Sequence, residues 1–216
     1  MAGTFPSAWE EVAFVTISKF VAAGDKTIEC AAMTETIDIS EPDYPGESIP
    51  NIAGGRIWKQ SPQEDGEITL EFYPQYVEDV NATFTSNVGM FAFFNGGVSN
   101  TAEPRGTDTT WAAGVDRTRD RFRVAIMWTN DTAATSAESA TSAADSVALR
   151  FAAMGCRMIS HKASFTDGIL KVTATFKFPA MNQAGDTKMC RWESTNDGDT
   201  TPMTALVDYD DEDSWT

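Results

Sequence analysis

The chain has a single histidine, His161, only three cysteines, and no apolar run long enough to cross a bilayer as a helix. Each shortage removes a class of function. Ser/His/Asp and Cys/His catalysis need an imidazole to shuttle protons near neutral pH, and one histidine at the end of an apolar strand pattern is more often structural. Taken as one strand, Cys156 and His161 lie five apart and face opposite sides. Cys30, Cys156 and Cys190 are an odd number with no CxxC spacing, which argues against a disulfide framework and against zinc. The expectation is small buried hydrophobes in a reducing cell. Glu10 and Glu11 precede the run "VAFVTISKFVAAG", and Lys19 interrupts it, so the run lacks the form of a secretion signal. Nothing approaches the about 18–20 apolar residues of a spanning helix. A soluble product made in the cytoplasm is expected, with no membrane partner.

Other chemistry is thin too. "AGGR" (53–56) has neither the GxGxxG nor the GxxxxGK[ST] spacing of a phosphate cradle, so no cofactor is expected. Glu67 and Glu71 share a strand face about 13 Å apart by strand rise, too far to flank one glycosidic bond. In "NDGDT" (196–200), Asp197 and Asp199 are weak metal candidates. The remaining spaced ligands of a calcium loop are missing, and a plain turn accounts for them better. "NAT" (81–83) and "NDT" (130–132) match the glycosylation sequon, which means little without a secretion signal. No enzyme is expected.

Basic charge is also scarce. Sixteen Lys and Arg stand against 32 Asp and Glu, a net charge of −16 across 216 residues. Such a surface repels phosphates and anionic lipids, which disfavours nucleic-acid binding. Solubility or adaptation to high salt would each explain the acidity.

What is present is period-two alternation. In "EITLEFY", Ile68, Leu70 and Phe72 oppose Glu67, Thr69 and Glu71. In "RFRVAIMW", Phe122, Val124, Ile126 and Trp128 oppose Arg121, Arg123 and Ala125. In "LKVTATFKF", Leu170, Val172, Ala174, Phe176 and Phe178 oppose Lys171, Thr173, Thr175 and Lys177. Each predicts a strand with a buried and a wetter face, as in antiparallel sheets. "TIDIS" (36–40) and "RIWK" (56–59) are shorter versions. Asp65-Gly66 and Asp167-Gly168 are hairpin-turn signals, and Asn95-Gly96-Gly97, Pro42 through Pro50 and Asp197-Gly198 mark loops.

"VALRFAAMGCRMI" (147–159) suits either a helix or a strand by composition. Its apolar row changes phase at Gly155, as a β-bulge in one long strand would require, and a strand is preferred. One short helix is allowed within 73–84. "TAATSAESATSAAD" (132–145) has no apolar stripe and is expected to be a mobile surface loop. Residues 208–216 form an acidic tail. With 42% hydrophobic residues and no clean linker, residues 1–216 are expected to form one domain, with 1–27 as an N-terminal arm or strand.

The order of several segments is informative. "TETIDIS" (34–40), a Pro/Gly-rich acidic loop, "IAGGRIWKQSPQEDGEITLEFYP" (52–74), "RFRVAIMW" (121–128) and "FTDGILKVTATFKFPAMNQAG" (165–185) together resemble the tail tube (major tail) proteins of tailed viruses. The look is closest to those of archaeal tailed viruses. The resemblance covers about residues 28 to 193.

It implies a mainly all-β antiparallel sandwich, with at most one short helix, whose long hairpins build an inter-subunit β-barrel. Six copies would form a ring, and rings would stack into a tube through which viral DNA passes without specific binding. Further implied partners are the tape measure, tail terminator and tail-tip proteins. The setting is the virion tail, assembled in the host cytoplasm, and a salt-rich archaeal host would suit the acidity. An acidic lumen would let DNA slide. No catalytic residue carries over.

By position, the strand pairs 53–60 with 67–73 and 147–160 with 169–178 are the inter-subunit candidates. Within them stand Arg56, Trp58, Glu67, Glu71, Arg150, Arg157, Lys171 and Lys177. Ile57, Ile68, Leu70 and Phe72 are expected to anchor the core. The rival is a carbohydrate-binding β-sandwich module used in host attachment, which would expose at least two coplanar tryptophans.

Overall fold

The computed structural model describes residues 12–19, 26–29, 34–73, 94, 121–131, 134–141, 147–195 and 203–206. The strands are β1 (Val12–Lys19), β2 (Lys26–Glu29), β3 (Thr34–Ser40), β4 (Gly46–Pro50), β5 (Arg56–Gln60), β6 (Gly66–Phe72), β7 (Phe122–Thr129), β8 (Ala148–Thr166), β9 (Ile169–Phe178) and β10 (Cys190–Thr195). Every pairing is antiparallel. The 73–84 helix candidate lies outside the described residues except for Tyr73, as do Asn95-Gly96-Gly97 and the acidic tail.

The organising element is β8, 19 residues long, roughly 60 Å at ordinary strand rise. No single sheet of this domain accommodates that length, and β8 serves two. Its first half lies between β7 and β10, and its second half pairs with β9. The order is β2-β1-β7-β8-β9-β6-β3, with β10 also on β8. Strands β2, β1, β7 and β10 with the first half of β8 make sheet A. The second half of β8 with β9, β6 and β3 makes sheet B.

The changeover sits where the apolar row changes phase. Gly155 has φ +63, and the β7–β8 register slips between Phe122 and Val124, so the residue without a Cβ occupies the left-handed position of a bulge. A second slip, between Met158 and Ser160, turns His161 inward against Phe94, ring centroids 5.3 Å apart. The opposite facing of Cys156 and His161 expected from strand parity therefore fails, because the second bulge reverses the phase.

The core fills the space between the sheets. Val15, Ile17, Phe122, Val124, Ile126 and Phe151 of sheet A meet Ile68, Leu70, Phe72, Val172, Ala174, Phe176 and Phe178 of sheet B. At ~25 cal/mol per Å² of apolar surface, this interlayer is the main stabilising contribution. Asp167 (φ 54) and Gly168 (φ 81) close β8 onto β9 as a two-residue turn, as expected.

Four expectations need correction. Leu170 is only half-buried, because the β8–β9 hairpin runs past the end of the core and leaves Phe165, its cross-strand partner, 73% exposed. β5 pairs with β4, inside the supposed Pro42–Pro50 loop, and not with β6. The turn is Asn51–Gly55, where the Asn51 carbonyl accepts from Gly54 N–H at 3.1 Å and Gly54 has φ +81. Gly66 is a strand residue, and a Cβ there would come within 2.2 Å of the Phe178 ring. Ile57 consequently leaves the core and is exposed.

The fourth concerns residues 134–141, which are irregular as expected but packed. Ala134 and Ala137 are buried with Met203 on the outer face of sheet A, over Ala125, Met127, Ala148 and Ala152. Both faces of β7 are therefore covered, Arg123 included.

Candidate functional site

Three surfaces separate the sequence candidates. The first is the outer face of sheet B. The register places four cross-strand rows on it: Ser40–Glu67–Lys177–Arg157, Asp38–Thr69–Thr175–Ser160, Thr36–Glu71–Thr173–Lys162, and Lys171–Ser164. Glu67, Glu71, Arg157, Lys171 and Lys177 thus come together on one face. Lys171 Nζ is 3.0 Å from Glu71 Oε2, and Lys177 Nζ is 4.0 Å from Glu67 Oε2. The Lys171 ammonium and the Thr36 and Thr173 hydroxyls hold the Glu71 carboxyl below its ordinary range. The Thr69 and Thr175 hydroxyls are 3.3 Å apart. The face is polar, is left uncovered by the described residues and is close to charge balance, unlike the chain as a whole.

The second surface is the β4–β5 arm, which carries Arg56 and Trp58. Every residue of both strands is exposed. Ile49 pairs with Ile57 on one face and Ser48 with Trp58 on the other. Trp58, 64% exposed, lies over Gly46, where a Cβ would come within 2.4 Å of its ring. Arg56 Nε donates to Ser48 Oγ at 2.8 Å. Among the described residues, five of the eight exposed large hydrophobics, Tyr44, Ile49, Ile52, Ile57 and Trp58, belong to this arm and its turn.

The third surface is the covered outer face of sheet A, and it holds the correction to the site residues. Arg150 is fully buried. Its Nε donates to Glu193 Oε2 at 2.7 Å, Nη1 to the Ser139 carbonyl at 3.1 Å and Nη2 to the Thr204 carbonyl at 2.8 Å. Desolvation lowers its pKa while Glu193 opposes that shift, and it stays charged at ordinary pH. It is an interior residue of this chain and not the exposed inter-subunit candidate that its strand position suggested. Arg123 is the parallel case, with Nε 3.0 Å and Nη2 2.9 Å from Glu138 Oε1. Ser18 donates to the same oxygen. Residues 134–141 and 203–206 are tied together by Thr141 N–H to the Met203 carbonyl (3.0 Å) and Leu206 N–H to the Glu138 carbonyl (2.9 Å). The sequence analysis missed Arg123, Glu138 and Glu193. The only trace was an arginine on the supposedly wet side of β7.

The described cysteine and histidine candidates sit in apolar surroundings. Burial pushes the Cys156 thiol well up, away from the nucleophilic thiolate, and His161 packs against an aromatic ring. Among the described residues no three His, Cys, Asp or Glu side chains form a metal-binding group. Asp197 and Asp199 lie outside the described residues. Trp128 and Trp192 are nearly parallel, 19° apart with centroids at 6.2 Å, but they stack on each other. The Trp192 indole N–H donates to Glu41 at 2.6 Å. They do not form an open sugar platform.

No protein-family model matches the chain, and no curated protein matches it. Solved structures do. The sheath/tube terminator of an extracellular contractile injection system (PVC, extended state) has TM-score 0.46 at 12% identity, covering 90% of this chain and 100% of that one. A chain of the PVC sheath–tube complex has TM-score 0.45 at 12% identity, covering 84% and 88%. The anti-feeding prophage cap, described as a tube terminating cap, has TM-score 0.46 at 9% identity, covering 90% and 95%.

Proposed function

We propose that this chain is a structural subunit of a tail-like tube, assembling into six-membered rings that stack around a channel for viral DNA. The observation that carries the proposal is the β4–β5 arm. A two-stranded ribbon is marginal in water by itself, and this one exposes Ile49, Ile52, Ile57 and Trp58, with every residue of both strands exposed among the described residues. Such an element is stabilised by burial against another molecule, and a self-assembling protein supplies one in the next copy. The segment order that resembles tail tube proteins runs through the arm and both flanking strands of sheet B.

In this proposal the arm bridges rings, and Trp58, Ile57 and Ile49 are its anchors, since buried aromatic and aliphatic side chains dominate interface energies. The channel is lined by the uncovered face of sheet B, because the outer face of sheet A is sealed by residues 134–141 and 203–206. That lining carries Asp38, Glu67 and Glu71 against Arg157, Lys162, Lys171 and Lys177. DNA would then slide past hydroxyl rows and paired charges, and the chain's acidity would lie on other surfaces. Tape measure, terminator and tip proteins are the implied partners, and the virion tail is the location.

Negative-stain microscopy of the purified chain tests the proposal. Hollow tubes or six-fold rings are expected, and Ile57→Ser with Trp58→Ser should leave rings that no longer stack. Discrete monomers at every concentration, with glycan binding, would replace it with the attachment-module reading.

A further inference from the structure

Asp167 and Gly168, which close the β8–β9 hairpin, carry a chemistry of their own. An aspartate followed by glycine can cyclise. The glycine amide nitrogen attacks the protonated side-chain carboxyl, a C–N bond forms, and the carboxyl hydroxyl leaves with the amide proton as water. The five-membered succinimide then takes up one water. Opening at the side-chain carbonyl restores aspartate, whereas opening at the main-chain carbonyl routes the chain through Cβ and Cγ, as isoaspartate. The chain has three Asp-Gly pairs, at 65–66, 167–168 and 197–198, and the last lies outside the described residues. Local geometry separates the other two.

The turn at 167–168 has φ 54 followed by φ 81, positive at both central residues and so of type I′. Type I′ has ψ of about +30° at its first residue, whereas type II′ has about −120° there at the same φ. A flip of the single peptide group joining Asp167 to Gly168 converts one into the other. In the I′ form the Gly168 nitrogen stands nearly opposite Cβ across the Cα–C bond, out of reach of the carboxyl. In the II′ form it eclipses Cβ, the arrangement a five-membered ring requires. The flip takes the second residue to negative φ, which glycine accepts as readily as positive. Space permits it as well, because Gly168 is exposed and nothing lies within 4 Å of where its Cβ would be. The ladder ends at Thr166–Ile169, so the flip breaks no strand pairing. The hairpin has also run past the core here, with Phe165 73% exposed and Leu170 half-buried.

Asp65-Gly66 differs on each point. Gly66 is paired with Phe178 in the β6–β9 ladder, and a Cβ there would come within 2.2 Å of that ring. Just before the pair, Glu64 N–H donates to the Asp43 carbonyl at 3.0 Å. This peptide group turns over only when the ladder opens.

We propose that Asp167 is a self-modification site that converts to isoaspartate in the folded chain, while Asp65 is protected. This rests on the fold alone and not on the tube-subunit reading. The product keeps the composition and formal charge but adds one methylene to the main chain of a two-residue turn. Thr166–Ile169 and Phe165–Leu170 then lose their register, whereas the core rows from Val172 onward are untouched. The hairpin tip therefore changes shape with the age of the molecule.

The experiment incubates the full chain, folded and at mildly acidic pH, well below its unfolding temperature. Samples taken over weeks are unfolded and digested with an endoproteinase that cuts before aspartate but not before isoaspartate. Conversion at Asp167 should exceed that at Asp65 by about tenfold or more, a barrier difference of about 1.4 kcal/mol. In urea the two sites should convert at similar rates. Gly168→Ala, with native circular dichroism, should suppress conversion, because a Cβ hinders the attack. Asp167→Asn keeps the turn and expels ammonia in place of water, so it should convert faster and with a gain in intact mass. Three results overturn the proposal: an intact Asp167 in the folded chain while the urea sample converts, equal conversion at Asp65 and Asp167 in the folded chain, or undiminished conversion in folded Gly168→Ala.

Discussion

Replacing Glu138 with glutamine tests what holds residues 134–141 to sheet A. The carboxylate accepts from Arg123 Nε at 3.0 Å, from Arg123 Nη2 at 2.9 Å and from Ser18. Arg123 is 1% exposed and Glu138 14%. Glutamine keeps the size and one acceptor but removes the carboxylate charge that faces the buried guanidinium. Removing one partner of a buried pair costs about 3–5 kcal/mol. The residual exposure of Glu138 places the expectation near the lower end, about 3 kcal/mol. That is a large share of the ~5–15 kcal/mol total stability of a domain. Urea denaturation with a constant m-value measures it.

The double variant Arg123→Met with Glu138→Gln should recover part of the loss, because the buried guanidinium is removed together with the carboxylate it faces. Hydrogen exchange adds a local readout. The Ala137 amide, which donates to Thr16 Oγ1 at 3.0 Å, should exchange faster in Glu138→Gln, while amides of β6 and β9 report only global unfolding. A single-variant loss below about 0.5 kcal/mol, the range of an ordinary surface substitution, refutes the account. So does a double-variant cycle without coupling.

Val172→Asp should unfold the chain, since a fully buried methyl pair becomes a buried charge, whereas Leu170→Asp should leave the chain folded by circular dichroism. Gly155→Ala should cost about 1–2 kcal/mol in denaturation, the usual penalty of an L side chain in the left-handed region; an unchanged midpoint would mean the bulge relaxes freely. Glu71 has its folded pKa below the unfolded value of 4.5. Its contribution is therefore complete above that value and declines as pH falls through the depressed folded one. Lys171→Met should flatten the stability profile in that acid window and leave it unchanged near neutrality, measured by thermal melts across pH.

Local chemistry made much of this fold legible in advance. Ile68, Leu70 and Phe72 alternate with Glu67, Thr69 and Glu71, and the pleat puts such residues on opposite faces whatever the neighbours. Asp167-Gly168 accepts the left-handed turn conformation, and Gly155 marks a bulge because an apolar row cannot change phase without an extra residue. The arm was misread for an equally physical reason. "RIWK" shows that a strand forms but not which strand it pairs with, and Ile57 looks like a core residue until β4 takes the place assigned to β6. Glu67, Glu71, Lys171 and Lys177 share one face because the alternation of β6 and β9 carries them there, and their register brings Arg157 of β8 beside Lys177. Asp38 and Lys162 were not singled out, since an edge is defined by the absence of a neighbour.

By itself, then, the sequence determined that β3, β5, β6, β7 and β9 are strands, the faces of β6 and β9, and the β8–β9 hairpin, all of which follow from spacing along one segment. Only the tertiary structure decided that β8 crosses from one sheet to the other, that Arg150 is an interior residue and that residues 134–141 are packed. Those outcomes depend on groups far apart in the chain: Ser139, Glu193 and Thr204 around Arg150, Thr16 and Ser18 beneath residues 137 and 138. Alternation specifies a face, and burial depends on what arrives to cover it.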